Sequence, residues 1–235
     1  MKLDKIWIKG ARSINYLFYR QFIHMAILLA MCLLLWLFFV KFPLGTGKWL
    51  GLEVGTWFWL SILTAVVHQI IVWLVFRLQL GWAFLSKIFG SRDLIIWGII
   101  FFPFLISRPF FVLGLAKTSD NTLIFNDLFS SVLALILIIP AVYTLWSVFK
   151  YFGLVRALGG DHFRVKYRKM GLVKRGAFKY TDNAMYKFAF FILWSIALFY
   201  NSLPALIVAI FQHLAIWVHY YCTEKPDMEL VYGRK

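Results

Sequence analysis

Six apolar stretches dominate this chain, and their lengths leave few folds open to it. Four precede Lys150, over 22–40, 54–76, 94–115 and 128–149. Two more, 185–200 and 203–221, are separated only by the turn "NSLP". About 20 apolar residues make a helix long enough to cross the hydrocarbon layer of a bilayer. Inside that layer every backbone N–H and C=O needs a partner within the protein, and a helix supplies it. The sequence therefore predicts an all-α, polytopic membrane protein of about six transmembrane helices. The last two form a helical hairpin, with Pro204 suited to the first turn of its second arm. Pro103 and the pair Arg108-Pro109 predict a kink or break in the third helix. The basic start of the chain is not followed by a short apolar stretch with a small-residue cleavage site, so the first helix is expected to stay in the membrane.

Charge between the helices orients them. The formal net charge is +15, and on a chain that is 62% hydrophobic it points to anionic lipid headgroups and away from nucleic acid. Lys and Arg crowd the N-terminal arm, the connection between helices two and three, and the stretch after helix four. The alternate connections are poorer in them. Six spans with both termini cytoplasmic, in a bacterial inner membrane or the endoplasmic reticulum, satisfy the positive-inside rule; five would break it. Residues 1–149 read as a four-helix transmembrane region and 150–235 as the part that carries chemistry. Cys32 and Cys222 sit in or beside separate apolar runs and predict no disulfide framework.

The stretch from Lys150 to Phe188 is too long and too polar for a tight connection, and its glycines and aromatics differ from those of a disordered linker. One reading is a basic loop resting on anionic lipid. The other takes Gly171, Gly176, Phe178, Tyr180 and Tyr186 as close backbone approach and ring stacking at a planar ligand. In the last apolar helix His213, Trp217, Tyr220 and Glu224 share one face, and Gln212, Ile216, His219 and Thr223 the neighbouring one. Polar side chains inside a span are costly and mark functional sites, against which stand interhelical hydrogen bonds and an interfacial aromatic belt. A carboxylate at the C-terminal end of that helix opposes its dipole, so Glu224 calls for a cationic partner. His213 and His219 diverge around the helix and no Cys or Asp completes a tetrahedral set, so no metal is expected. His68 and Gln69 read as buried hydrogen-bonding residues or as a wall of a substrate cavity, and Gln69, Trp73 and Arg77 share a face. Arg108 either snorkels to the far interface or holds a lipid phosphate.

Taken together, Gly171-Leu172-Val173, Gly176, Phe178, Tyr180, Met185-Tyr186, the hairpin, Glu224-Lys225-Pro226 and Tyr232-Gly233 resemble the integral-membrane methyltransferases, a family that includes isoprenylcysteine carboxyl methyltransferase and the phospholipid N-methyltransferases. The wording is closest to the phosphatidylethanolamine N-methyltransferase branch. An Arg-His-Pro triplet of the family is replaced by Asp182-Asn183-Ala184, and the second glutamate of a pair by Lys225. The resemblance implies S-adenosylmethionine as cofactor, leaving as S-adenosylhomocysteine, and methyl transfer to a membrane lipid substrate. It implies cofactor binding by Leu172, Val173, Gly176, Phe178, Tyr180, Asn183, Tyr186, Tyr220 and Glu224. His219 is then the expected acceptor of the amine proton, and Arg164 and His213 the expected substrate-binding residues. Rival readings are a methyltransferase for a prenylcysteine carboxylate or small thiol, a reductase sharing the hairpin region, a transporter or scaffold, and a diverged pseudoenzyme.

Overall fold

The computed structural model of the chain describes residues 7–233. Its principal helices are α1 (Gln21–Lys41), α2 (Val54–Trp82), α3 (Asp93–Thr118), α4 (Asp127–Ser147), α5 (Phe191–Phe199), α6 (Leu203–His219) and α7 (Lys225–Tyr232). Among the described residues the only strands are Lys48–Trp49 and Leu52–Glu53, one small antiparallel pair between α1 and α2. The protein is an all-α polytopic membrane protein. Five helical runs are long and apolar enough to span: Ile14–Lys41, Val54–Trp82, Phe84–Thr118, Asp127–Phe152 and Leu203–Tyr232.

The sixth expected span is shorter, an apolar run over Met185–Phe199. Contacts at the two ends of the bundle show that the run still traverses it. At one end, Ile8 N–H donates to Leu80 O at 2.8 Å and the Tyr16 hydroxyl to Asp227 Oδ1 at 2.8 Å. The chain start, the close of α2 and α7 therefore meet there. At the other end, Asn121 and Leu123 N–H donate to Tyr200 O and Asn201 O at 3.1 and 2.8 Å, placing the α3–α4 connection against the α5–α6 turn. An even number of passes is the only way to satisfy both sets of contacts.

Local chemistry sets the element ends. Asn126 caps α4 by accepting from Leu128 N–H at 2.9 Å, and Ser202 caps α6 by accepting from Ala205 N–H at 3.2 Å, with Pro204 in the first turn. α3 runs through Pro103 and Pro109 as one helix, so of the kink or break expected there the break does not occur. Neighbouring helices hold a membrane helix together across the donors its prolines lack. Helices approach closely where side chains are small: Ala65, Ala116, Ala197, Ala205, Ala209 and Ala215 are fully buried. A methyl group on Gly114 would lie 2.5 Å from the Trp57 ring.

The basic stretch after α4 is folded rather than spread on a surface. It forms the short helices Leu154–Ala157, Gly160–Phe163 and Val165–Arg168 and a 3-10 turn, Gly176–Lys179. Phe163 is buried and Leu158 O accepts from the Trp97 indole at 2.8 Å. His162 stacks on Phe76 with ring centres 3.9 Å apart. Burial lowers the Arg168 guanidinium below its usual range, and Asp161 nearby opposes that effect.

Candidate active site

The last apolar helix does not stop at Tyr221. After His219 it widens into a π turn over Tyr220–Glu224 and continues as α7, so Glu224 faces no open helix end and the dipole penalty expected for it does not arise. Pro226 explains much of the local structure. It fits the first turn of α7, but it has no N–H for the carbonyl four residues back, that of Cys222. Side chains from elsewhere fill the gap. Gln21 Nε2 donates to Cys222 O at 3.1 Å and to Thr223 Oγ1 at 3.1 Å. Arg77 Nη2 reaches the Cys222 and Thr223 carbonyls at 3.3 and 3.4 Å, and Arg20 Nη1 the Tyr221 carbonyl at 3.1 Å. The widened turn is thereby held from outside its own helix, as buried backbone acceptors require.

A second π turn, Met185–Ala189, faces the first. The Tyr186 hydroxyl donates to Glu224 Oε2, and His219 Nε2 lies 3.7 Å from Glu224 Oε1. Tyr186 also packs against Tyr220 and Trp217, with centroids 5.5 and 6.1 Å away. His213 Nε2 lies 2.8 Å from the Tyr186 carbonyl, which can only accept, so the proton is on Nε2. π turns inside helices concentrate at functional sites, and here two of them join through one hydroxyl–carboxylate contact.

Beneath this pair lies a buried ionic cluster. Arg77 Nε is 2.5 Å from Asp227 Oδ1, with both side chains fully buried. Asp227 also accepts from Tyr16, and its Oδ2 lies 3.2 Å from His162 Nε2. His24 bridges Gln21 and Gln69 at 3.0 Å each, and its ring lies 5.4 Å from that of His219. Arg77 shares a face with Gln69 and Trp73, and the fold sets it against Asp227, which Tyr16 and His162 also contact; nothing in the sequence pattern pairs these residues. The one available signal was Asp227 three residues after Glu224, within one helical turn.

The structure brings Tyr186, Tyr220, Glu224, His219 and His213 together. Phe178 and Gly176 are taken up by the close of α4. Phe178 stacks on Phe152 at 4.9 Å, and Gly176, with φ +60°, is pressed against Ser147 and Tyr151. Ala177 N–H donates to Ser147 Oγ at 3.0 Å. Gly171 and Leu172 are exposed, Val173 is half-buried, and Tyr180 is 73% exposed. Asn183 accepts from Lys187 N–H at 3.0 Å as it leads into the π turn, and its neighbour Asp182 pairs with Lys174. Arg164, expected at a substrate phosphate, is instead clamped on buried Asp93: Nη1 is 2.7 Å from Oδ2, and Nη2 contacts Oδ1. A bidentate pair of this kind neutralises the guanidinium. Arg108 does not snorkel; it is buried in the span. Among the described residues no group of three His, Cys, Asp or Glu side chains is placed to hold a metal ion.

Among the described residues, Glu224 Oε1 has no hydrogen-bond donor closer than His219, whose two ring nitrogens lack hydrogen-bond partners although the side chain is buried. A partly exposed carboxylate among ring faces, beside a buried unpaired imidazole, fits a ligand that is cationic and carries donors. Fold and site define an integral membrane protein whose C-terminal half gathers this cluster. Residues 129–235 match the family model described as phospholipid methyltransferase. Over that span the chain is similar to the integral-membrane methyltransferases, which supports methyl transfer at a membrane as its class of activity. No curated protein and no solved structure matches the chain.

Proposed function

We propose that this protein uses S-adenosylmethionine to methylate the amine head group of a membrane phospholipid, as in phosphatidylethanolamine N-methylation. The carrying observation is the constellation of Tyr186, Glu224 and His219 on facing π turns, inside the segment that matches the family model. When bound, the cofactor supplies a methyl group on a sulfonium cation. Glu224 receives the ammonium or ribose hydroxyls through Oε1 while Tyr186 fixes its other oxygen. The rings of Tyr186, Tyr220 and Trp217 present π faces to positive charge, each worth about 0.5–2 kcal/mol. Leu172 and Val173 offer backbone groups from irregular chain, and Gly176, Phe178 and Asn183 hold that chain in place. His213, bonded to the Tyr186 carbonyl, fixes where Tyr186 stands.

Methyl transfer to a neutral amine needs alignment above all, and then a place for the proton. His219, with both ring nitrogens unpaired and Nε2 3.7 Å from Glu224 Oε1, takes that proton at a ring nitrogen. Both termini lie on the cytosolic side, where Lys and Arg gather.

The test is calorimetric titration of the detergent-purified protein with S-adenosylhomocysteine. The wild type should bind in the micromolar range. Glu224→Ala should lose binding while its thermal unfolding stays cooperative. Undiminished binding by Glu224→Ala would remove Glu224 from the pocket; no binding by folded wild type would overturn the cofactor assignment.

A further inference from the structure

Arg108 sits roughly midway along α3 and is 3% exposed. Its one hydrogen bond is long, from Nη2 to Ala65 O at 3.4 Å, and its Nε has no partner. Among the described residues no carboxylate lies within ion-pair distance of it. A buried guanidinium inside a membrane span is expensive unless something negative meets it. By contrast, buried Arg77 is met by Asp227, and Arg164 is met by Asp93.

The neighbours of Arg108 are short of partners too. On α2, Ser61, Ala65 and His68 follow one another along a single face. Ser61 O accepts from Gln212 of α6 at 3.0 Å, and Ala65 O accepts from Arg108. His68 lies between Phe101 and Phe104 of α3, at 4.7 and 5.7 Å, with neither ring nitrogen bonded. Ala65, whose carbonyl Arg108 reaches, lies one turn before His68 on α2, and Phe104, stacked on His68, lies one turn before Arg108 on α3. Phe190 closes the far side, 5.8 Å from the guanidinium. Unmet donors thus surround one unpaired positive charge where α2, α3 and α6 meet. The arrangement has the chemistry of an anion site in a low-dielectric setting.

We propose that Arg108 and His68 form a site inside the membrane span for the phosphate oxyanion of a lipid head group, which enters sideways between the helices. The site is separate from the Glu224 pocket, and it names the phosphate-holding residues for a phospholipid acceptor, so in that respect it rests on the function proposed above. Pro103 and Pro109 lie to either side of Arg108 and leave two α3 carbonyls without their helical donors.

The experiment is lipid binding by the purified full chain in detergent, without cofactor. The probes are a short-chain phosphatidylethanolamine, the matching diacylglycerol and inorganic phosphate. Arg108→Gln should bind the phospholipid about ten- to a hundredfold more weakly than wild type, and the diacylglycerol equally well. Equal phospholipid affinity in the two proteins overturns the proposal. So does a parallel loss for diacylglycerol, which would make Arg108 a support of the fold. A loss confined to inorganic phosphate overturns the lipid source of the anion. Should Arg108→Gln fail to fold, His68→Phe keeps an aromatic ring between Phe101 and Phe104 and removes both nitrogens; it should weaken phospholipid binding alone, and unchanged affinity overturns the proposal. Titrating the same samples with S-adenosylhomocysteine reports separately on the cofactor, so a failure there is not mistaken for a failure here.

Discussion

Replacing Asp227 tests how the C-terminal helix is held in place. Its carboxylate meets three groups at once: Arg77 Nε at 2.5 Å, the Tyr16 hydroxyl at 2.8 Å and His162 Nε2 at 3.2 Å. The Arg77 and Asp227 side chains are both fully buried. In Asp227→Ala the guanidinium stays buried with only backbone carbonyls to bind, and stranding one member of a buried ion pair destabilises by about 3–5 kcal/mol. For a chain of this size that corresponds to a fall in Tm of roughly 6–20 °C. The control is Asp182→Ala, which breaks a pair that is more than half exposed and should change stability by about 0–1 kcal/mol. Thermal unfolding in detergent, followed by intrinsic tryptophan fluorescence, measures both. The double variant Arg77→Met/Asp227→Leu should lose clearly less than the sum of its single variants, because no charge is left stranded. Additive losses, or an Asp227→Ala melt no lower than that of Asp182→Ala, would refute the view that this pair anchors the site.

At the opposite end of the bundle, Asn201 has φ +48°. Its amide donates to Phe125 O at 3.0 Å and Asp127 Oδ1 at 2.8 Å, and accepts from Ser130 Oγ at 2.9 Å. Asn201→Ala loses these bonds and keeps the strained backbone, so it should melt below Asn201→Gly by the equivalent of about 1 kcal/mol; equal melting of the two would show that the lost bonds alone matter. In Gly176→Ala the new methyl would collide with Ser147 Oγ, at φ +60°. The left-handed backbone alone costs about 1–2 kcal/mol, so its melting curve should shift down visibly, and a wild-type curve would mean that the close of α4 yields freely.

Much of this architecture is legible in the sequence because it depends on local composition. Run length and hydropathy place the long spans; the turn before Pro204 and the hairpin follow from residue chemistry alone. The polar face of the last apolar helix could likewise be read by counting residues, and Tyr186, Tyr220, Glu224, His219 and His213 do meet. Helical counting assumes a regular α-helix, however. It could not foresee the π turns at Met185–Ala189 and Tyr220–Glu224, since a widened turn is stable only when distant side chains take up the carbonyls it releases. Gln21 and Arg77 do so from about 200 and 145 residues away in sequence.

Charge partners were equally hidden. Arg164 reads the same in sequence whether it faces lipid phosphate or Asp93, and only the folding of the stretch after α4 against α3 decides for Asp93. Arg108 reads as a residue that either reaches the far interface or holds a lipid phosphate, and tertiary packing buries it in the span. By itself the sequence determined the solvent this protein lives in, the number of its passes and the residue types available for chemistry. The tertiary structure decided which charges are already neutralised and which still lack a partner, because pairing depends on contacts between helices far apart in the chain.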